Sequence, residues 1–367
     1  MSGGETNSFF IDDSSNVWGC GPNSFSSLND PEENFSHFKK LEELENICAV
    51  DSGSHHTLFL DQDGNVFSCG KNSQVTCGEL GRVINSVDSP TKPAKISALP
   101  KIISVAASFG DHSLFLDEEM QVWACGGYSS GALGLGKFHN VLVPEQIPIN
   151  PMKSIAAGWK HSVFLDEEGT PWTCGNNSQG ELGLGDKNNR WKAEMIKNLP
   201  SIKEIFAGCQ HTMFLAEDGS VWGTGFNGSA ELGSNEKEVV TPMKIAGLPE
   251  IQTIALGWNH SLFLDFSGGV WACGSNTSCQ LGIGRFSCVT KPTKLSNIPE
   301  IRSIAAGGNH SLFVANDNSL WTCGSNNNDQ LGYGTETNKN LPKMVANVPL
   351  VKENFRRQSV KSARKVI

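Results

Sequence analysis

Residues 260–274 read HSLFLDFSGGVWACG, and nearly the same string returns along the whole chain. It is HTLFLDQDGNVFSCG from His56, HSLFLDEEMQVWACG from His112 and HSVFLDEEGTPWTCG from His161. It then reads HTMFLAEDGSVWGTG from His211 and HSLFVANDNSLWTCG from His310. NSFFIDDSSNVWGCG, from Asn7, fits the same template with Asn in the His place. The aromatic of the second half falls at Trp18, Phe67, Trp123, Trp172, Trp222, Trp271 and Trp321, at spacings of 49, 56, 49, 50, 49 and 50, and these seven aromatics are expected to pack in the core. Seven units of about 50 residues are the signature of a repeat architecture, not of two or three separate domains.

Within a unit, the apolar triplet Leu262-Phe263-Leu264 is too short for a helix and has strong β character. An Asp-x-x-Gly turn joins it to Val270–Cys273, which predicts a hairpin. A third apolar stretch precedes the His (Ile301–Gly307), and a Gly/Asn-rich loop ending in Leu-Gly-x-Gly leads to a fourth stretch, Pro292–Leu295. Four short strands per unit, repeated seven times, predict an all-β fold: a seven-bladed β-propeller with four-stranded blades. The glycine surplus, 39 in 367 residues, falls after the first strand, after the Cys and in Leu-Gly-x-Gly. The N-terminal unit shows no first strand of its own, so Val351–Phe355 is expected to pair with Ser8–Asp12 and close the ring. The propeller is expected over 1–355 and a basic tail over 356–367; residues 354–367 carry Arg356, Arg357, Lys361, Arg364 and Lys365 and no acid.

Net charge is −9 (29 Lys and Arg, 38 Asp and Glu), which speaks against a general nucleic-acid binder. The N-terminus carries no signal-peptide pattern and no apolar run approaches a membrane span, so a cytoplasmic or nuclear monomer without membrane insertion is expected. The eleven cysteines include no Cys-x-x-Cys pair and mostly recur at one place in the repeat. They read as reduced, buried thiols rather than disulfides or a metal site. The six repeated histidines, one per unit, cannot converge on one ion and read as buried imidazoles bonded to backbone. No cofactor and no metal are expected, and no P-loop or nucleophile elbow is present.

These elements together (A-A-G-x-x-H-S, D-x-x-G-x-V-W-x-C-G and Q/E-L-G-x-G) resemble the regulator-of-chromosome-condensation repeat family over about residues 3–355. The resemblance implies a seven-bladed propeller. The family's founding member exchanges nucleotide on the small GTPase Ran and docks on nucleosomes; other members are scaffolds, exchange factors for other GTPases, or a plant ultraviolet-B photoreceptor. By that resemblance a small GTPase or another protein is the expected partner, with no direct small-molecule substrate. A non-catalytic scaffold is the alternative. The acidic loop residues that relatives use are matched by Asp111 and by Glu5, and the long stretch Glu79–Ser89 reads either as a wedge of the kind relatives insert or as only a longer outer loop. Trp159 and Trp258 lie in Gly-Trp-Lys-His and Gly-Trp-Asn-His; the arginines that flank the photoreceptor's tryptophans are missing.

In an up-down-up-down blade, the loops between strands one and two and between strands three and four emerge on one face. Positions there that differ between units mark the expected partner face. They are Glu5, His55, Lys71, Asn72, Asp111, Tyr128, Trp159, Lys160, Asn177, Gln210, Phe226, Trp258, Asn259, Asn276, Asn309 and Asn326.

Overall fold

The structure is a computed structural model that describes residues 1–22, 35–70, 78–83, 92–128, 130–334 and 337–352. Among these, seven four-stranded antiparallel sheets follow one another in the chain, and no helix is found. The sixth blade is typical: Ile251–Leu256, His260–Asp265, Val270–Gly274 and Val289–Lys294 pair in sequence order. Inner strands of successive blades touch, and those of the last blade touch the first, so the sheets form a ring.

The apolar triplet makes the core because both faces of each sheet are covered. Its central phenylalanines (Phe10, Phe59, Phe115, Phe164, Phe214, Phe263 and Phe313) are completely buried between blades. One cluster, for example, joins Val163 and Leu165 of the fourth blade to Ile202, Ile205 and Phe214 of the fifth. The repeated tryptophans, expected in the core, are only half-buried at its outer flank. They do a different task. The Asp265 carboxylate accepts the turn amides of Ser267 and Gly269 with one oxygen and the Trp271 indole N–H, at 3.0 Å, with the other. Asp12, Asp117 and Asp166 hold Trp18, Trp123 and Trp172 likewise. Where Ala216 and Ala315 replace the Asp, Ser220 and Ser319 take over as indole acceptors.

A hydrogen-bond relay links each blade to the next. The Nε2 of His56, His112, His161, His260 and His310 lies 2.8–3.1 Å from the hydroxyl of Ser113, Ser162, Thr212, Ser311 and Ser8, respectively, and His211 lies 3.4 Å from Ser261. Those hydroxyls donate their own proton to a loop carbonyl of the preceding blade: Ser113 to Glu79, Ser162 to Ala132, Thr212 to Glu181, Ser261 to Glu231, Ser311 to Gln280 and Ser8 to Gln330, all at 2.6–2.7 Å. A hydroxyl has one proton. It therefore accepts from the imidazole, which is protonated at Nε2, and burial favours the neutral ring. The expectation that these histidines bond backbone is corrected: they reach backbone through a hydroxyl. In the last four blades the glycine three residues before the His makes room for the ring. A Cβ at Gly158, Gly208, Gly257 or Gly307 would stand 2.1–2.3 Å from the imidazole Cε1. In the first blade the shorter Asn7 stands in the His place. Ser52 bridges the gap, donating to Asn7 Oδ1 at 3.1 Å and lying 3.0 Å from Thr57 Oγ1.

The first blade also corrects the expected closure. It has an inner strand of its own, Ser2–Gly3, paired with Phe9 and Ser8. Val351 pairs with Asp12 in a single bridge, and Lys352 N–H donates to Ile11 O at 2.8 Å. Register with the seventh blade explains the division: Val351 stands in the place of Ile301, and Ser2–Gly3 in the place of Ala305–Ala306. The rest of the expected strand and the basic tail lie outside the described residues. The repeated Cys20, Cys69, Cys125, Cys174, Cys273 and Cys323 are buried free thiols, and burial pushes their pKa values up.

Two outcomes follow. Val351 is 3% exposed within the core between the last and first blades. Val351→Ala should cost about 2 kcal/mol; an unchanged urea midpoint would exclude Val351 from holding the ring. Second, burial lowers the six histidines from 6.5 to about 3 or 4. The unfolded chain takes up these protons before the folded one does. Stability should be full above pH 6.5 and fall as pH drops towards 4, with each histidine contributing up to about 1.4 kcal/mol per pH unit. Melting temperatures measured from pH 8 to 4.5 check this, and a flat profile would contradict the neutral relay.

Candidate partner-binding face

The rim is built from the residues just before each relay histidine. Backbone bonds tie these loops to one another: Glu5 N–H to Gly53 O, Trp159 N–H to Cys209 O, Trp258 N–H to Gly308 O and Gly308 N–H to Gly4 O, at 2.9–3.2 Å. The approach is close enough that a Cβ on Gly110 would lie 1.9 Å from Trp159 O. Each loop also anchors the strand-three-to-four loop of its own blade. Gly127, Asn176, Phe226, Ser275 and Ser325 donate their N–H to the carbonyls of Asp111, Lys160, Gln210, Asn259 and Asn309. The two sets of loops thus meet on one face.

That face carries unlike side chains on a repeated frame. Trp159 and Tyr128 are the most exposed, and Lys160 Nζ lies 4.4 Å from the centre of the Trp159 ring. Glu5, His55, Asp111, Lys160, Gln210, Phe226, Trp258, Asn259 and Asn309 are half-buried. Lys71 and Asn72 lie outside the described residues.

Asn177, Asn276 and Asn326 do not belong to the face. All three are completely buried. The Oδ1 of each accepts the N–H of the leucine five residues on, Leu182, Leu281 or Leu331, at 2.8–3.0 Å. Asn227 does the same for Leu232 at 2.7 Å. A loop that turns back over a blade leaves that amide without a strand partner, and the Asn carbonyl fills the need. The signal was present in the sequence: an Asn five residues before Leu-Gly in four units is a constant, and constants are framework. The expected wedge is corrected in the same way at its start. Gly78-Glu79-Leu80-Gly81 is the ordinary turn of the repeat, with Glu79 and Leu80 buried; residues 84–91 are not described.

Sequence reasoning missed the residue before Leu-Gly. Glu79, Glu181, Glu231, Gln280 and Gln330 are all buried beneath the rim. Burial raises the Glu181 carboxyl, and it pushes Glu231 up to about 7 despite the Ser229 N–H bonded to it. Cys209, half-buried between the Trp159 and Trp258 loops, is pushed up to about 12 by burial and then by Glu181, Glu231 and Glu5, so its thiol stays protonated. Among the described residues no group of three His, Cys, Asp or Glu side chains is placed to hold a metal. A locked neutral imidazole and a protonated thiol offer no nucleophile–base pair.

Residues 77–364 match the RCC1-like domain, and residues 47–78 match the regulator of chromosome condensation (RCC1) repeat. The chain belongs to the RCC1-like domain family. No curated protein matches its sequence. Among solved structures it is similar to yeast RCC1 (Prp20) bound to Kap60, at 25% identity over 94% of this chain and 85% of that one, with a TM-score of 0.82. A second structure of Prp20p, from Saccharomyces cerevisiae and described with its binding to Gsp1p and histones, gives 26% identity over 94% and 87%, with a TM-score of 0.81. Human WBSCR16 shares the fold, at 22% identity over 86% and 85% and a TM-score of 0.78.

Frame and face separate by mutation. Asn276→Ala strands a buried Leu281 N–H and should cost about 2 kcal/mol. Trp159→Ala should stay within about 0.5 kcal/mol of the parent. Equal losses in guanidinium unfolding would refute this division.

Proposed function

We propose that this RCC1-like propeller is a protein-binding module acting as a guanine-nucleotide exchange factor for a Ran-like or other small GTPase, in the cytoplasm or nucleus. The observation that carries the reading is the rim. Six loops closed by the same backbone bond, and a third-blade loop one residue longer, carry Thr6, His55, Asp111, Lys160, Gln210, Asn259 and Asn309 just before the His place, six residue types at seven positions. Its likeness to yeast Prp20p, which binds Gsp1p, supports the choice of partner.

Exchange of this kind requires no proton transfer. A protein that binds the nucleotide-free partner more tightly than the loaded one lowers nucleotide affinity by the same factor. Glu5 and Asp111 supply negative charge on the rim, and Trp159, Tyr128 and Trp258 supply the large aromatic surfaces that anchor protein partners. The same face, without a preference between partner states, would make a scaffold. The two differ only in whether nucleotide release accelerates.

The test is release of a fluorescent guanine nucleotide from a panel of small GTPases, Ran among them. Acceleration on at least one is expected, reduced about tenfold by Asp111→Ala. No acceleration on any member would remove the exchange reading in favour of the scaffold.

A further inference from the structure

The buried Glu or Gln before Leu-Gly lies beneath the rim residue of the next blade, and its identity changes what that residue can offer. In the fifth blade, Glu231 accepts the Ser229 N–H at 2.9 Å with Oε2. Its Oε1 then faces Asn259, whose amide is satisfied only with Nδ2 towards Glu231 (3.3 Å) and Trp258 O (3.1 Å). In the sixth blade, Gln280 accepts the equivalent Ser278 N–H at 2.9 Å with Oε1. Its remaining group is a donor, and Gln280 Nε2 donates to Asn309 Oδ1 at 3.1 Å. Two asparagines at the same rim position therefore sit in opposite senses. A carboxylate has only acceptors and a primary amide has both kinds of group, so Glu231, together with Trp258 O, holds Asn259 Nδ2 inward, whereas Gln280 Nε2 holds Asn309 Oδ1 inward.

We infer that Glu231 and Gln280 are positioning residues that set the hydrogen-bond polarity of the rim: Glu231 turns the Asn259 carbonyl towards a partner, and Gln280 turns the Asn309 amino group towards it. The bearing on binding rests on the proposed partner face; the positioning itself does not.

The two positions also differ in their response to pH. Burial holds the Glu231 carboxyl at about 7. Once Glu231 is protonated, Asn259 Nδ2 loses a carboxylate acceptor and keeps Trp258 O at 3.1 Å, so the surroundings of the amide change. Glu181, whose carboxyl burial also raises, Glu5 and Lys160 share the neighbourhood of Cys209 with Glu231. Ser229 and Asn259 are uncharged, and Ser261 and Cys273 bond its backbone carbonyl. Burial keeps the Cys209 and Cys273 thiols protonated, and His211, reached through Ser261, is held neutral. Gln280 has no proton to exchange.

The experiment uses the full chain labelled with ¹⁵N-asparagine, following side-chain amide resonances from pH 5.5 to 8.5 without any partner. The Asn259 amide should move with one midpoint at about 7, and the Asn309 amide should not. Glu231→Gln should abolish the Asn259 titration, and the reciprocal Gln280→Glu should confer one on Asn309. Both substitutions place a side chain that other blades already hold at that position, so folding is preserved. An Asn259 amide indifferent to pH and to Glu231→Gln overturns the inference. In nucleotide release, Glu231→Gln should weaken the effect about tenfold, and Glu231→Gln with Asn259→Asp, which restores an outward acceptor, should recover it. Amide resonances that behave as expected while no GTPase responds would support the positioning and overturn the exchange reading, so the two fail separately.

Discussion

The ring depends on a neutral imidazole reaching across a blade boundary. Each relay histidine donates to a hydroxyl on the next blade, and that hydroxyl donates back to a carbonyl of the blade it came from. One small polar unit thereby ties together three places: a second strand, its neighbour's second strand, and the loop that carries a blade to its outer edge. The site is buried, which disfavours a charged imidazole, and the relay has a single direction. Because His310 closes on Ser8 across almost the whole sequence, the last junction is built like the others. Apolar packing between blades supplies most of the burial, but packing alone is tolerant of sliding. The relay fixes the register at which one blade meets the next.

Much of this was legible in the sequence because period and residue type spoke together. A 50-residue repeat with two apolar stretches around an Asp-x-x-Gly turn admits few folds, and blade number and strand order follow from it. What escaped was of two kinds. Ser2–Gly3 has no β signature, since a two-residue strand is made by its partners Ser8 and Phe9 and not by its own propensity. The Val351–Asp12 bridge lies within the pairing expected from the repeat, but the N-terminal share of that inner position is a product of ring closure that no local pattern announces. The other misses were polar. Asn177, Asn276 and Asn326 were read as surface because asparagine in a loop usually is, yet loops that fold back over a sheet create buried amides needing acceptors. The tryptophans were read as core, whereas the indole N–H draws them to the turn carboxylate at the core's margin.

Frame and face are coupled more closely than a list of constant and variable positions suggests. Glu231 and Gln280 belong to the constant motif by position and to the variable face by effect. Their backbone carbonyls accept from the relay hydroxyls Ser261 and Ser311, which fixes where they stand. Their side chains then differ by one group, oxygen or nitrogen, and that difference passes upward to Asn259 and Asn309. A partner meets the second residue, but the first decides how it is met. Variation beneath a surface can thus alter recognition without changing any residue that touches the partner.

Rigidity of this kind suits a module that acts by differential binding. A surface that reshapes itself around each state of its partner holds both states equally well and shifts nothing between them. A surface held by backbone bonds from loop to loop, over a relay that fixes every blade, cannot follow the partner's change. The cost of mismatch then falls on the partner's less favoured state, and preorganisation leaves little ordering entropy to be lost on association. The same argument explains why the framework tolerates so little: a glycine that must clear an imidazole and an asparagine that must reach an amide keep the rim from yielding, and a rim that does not yield is one that can discriminate.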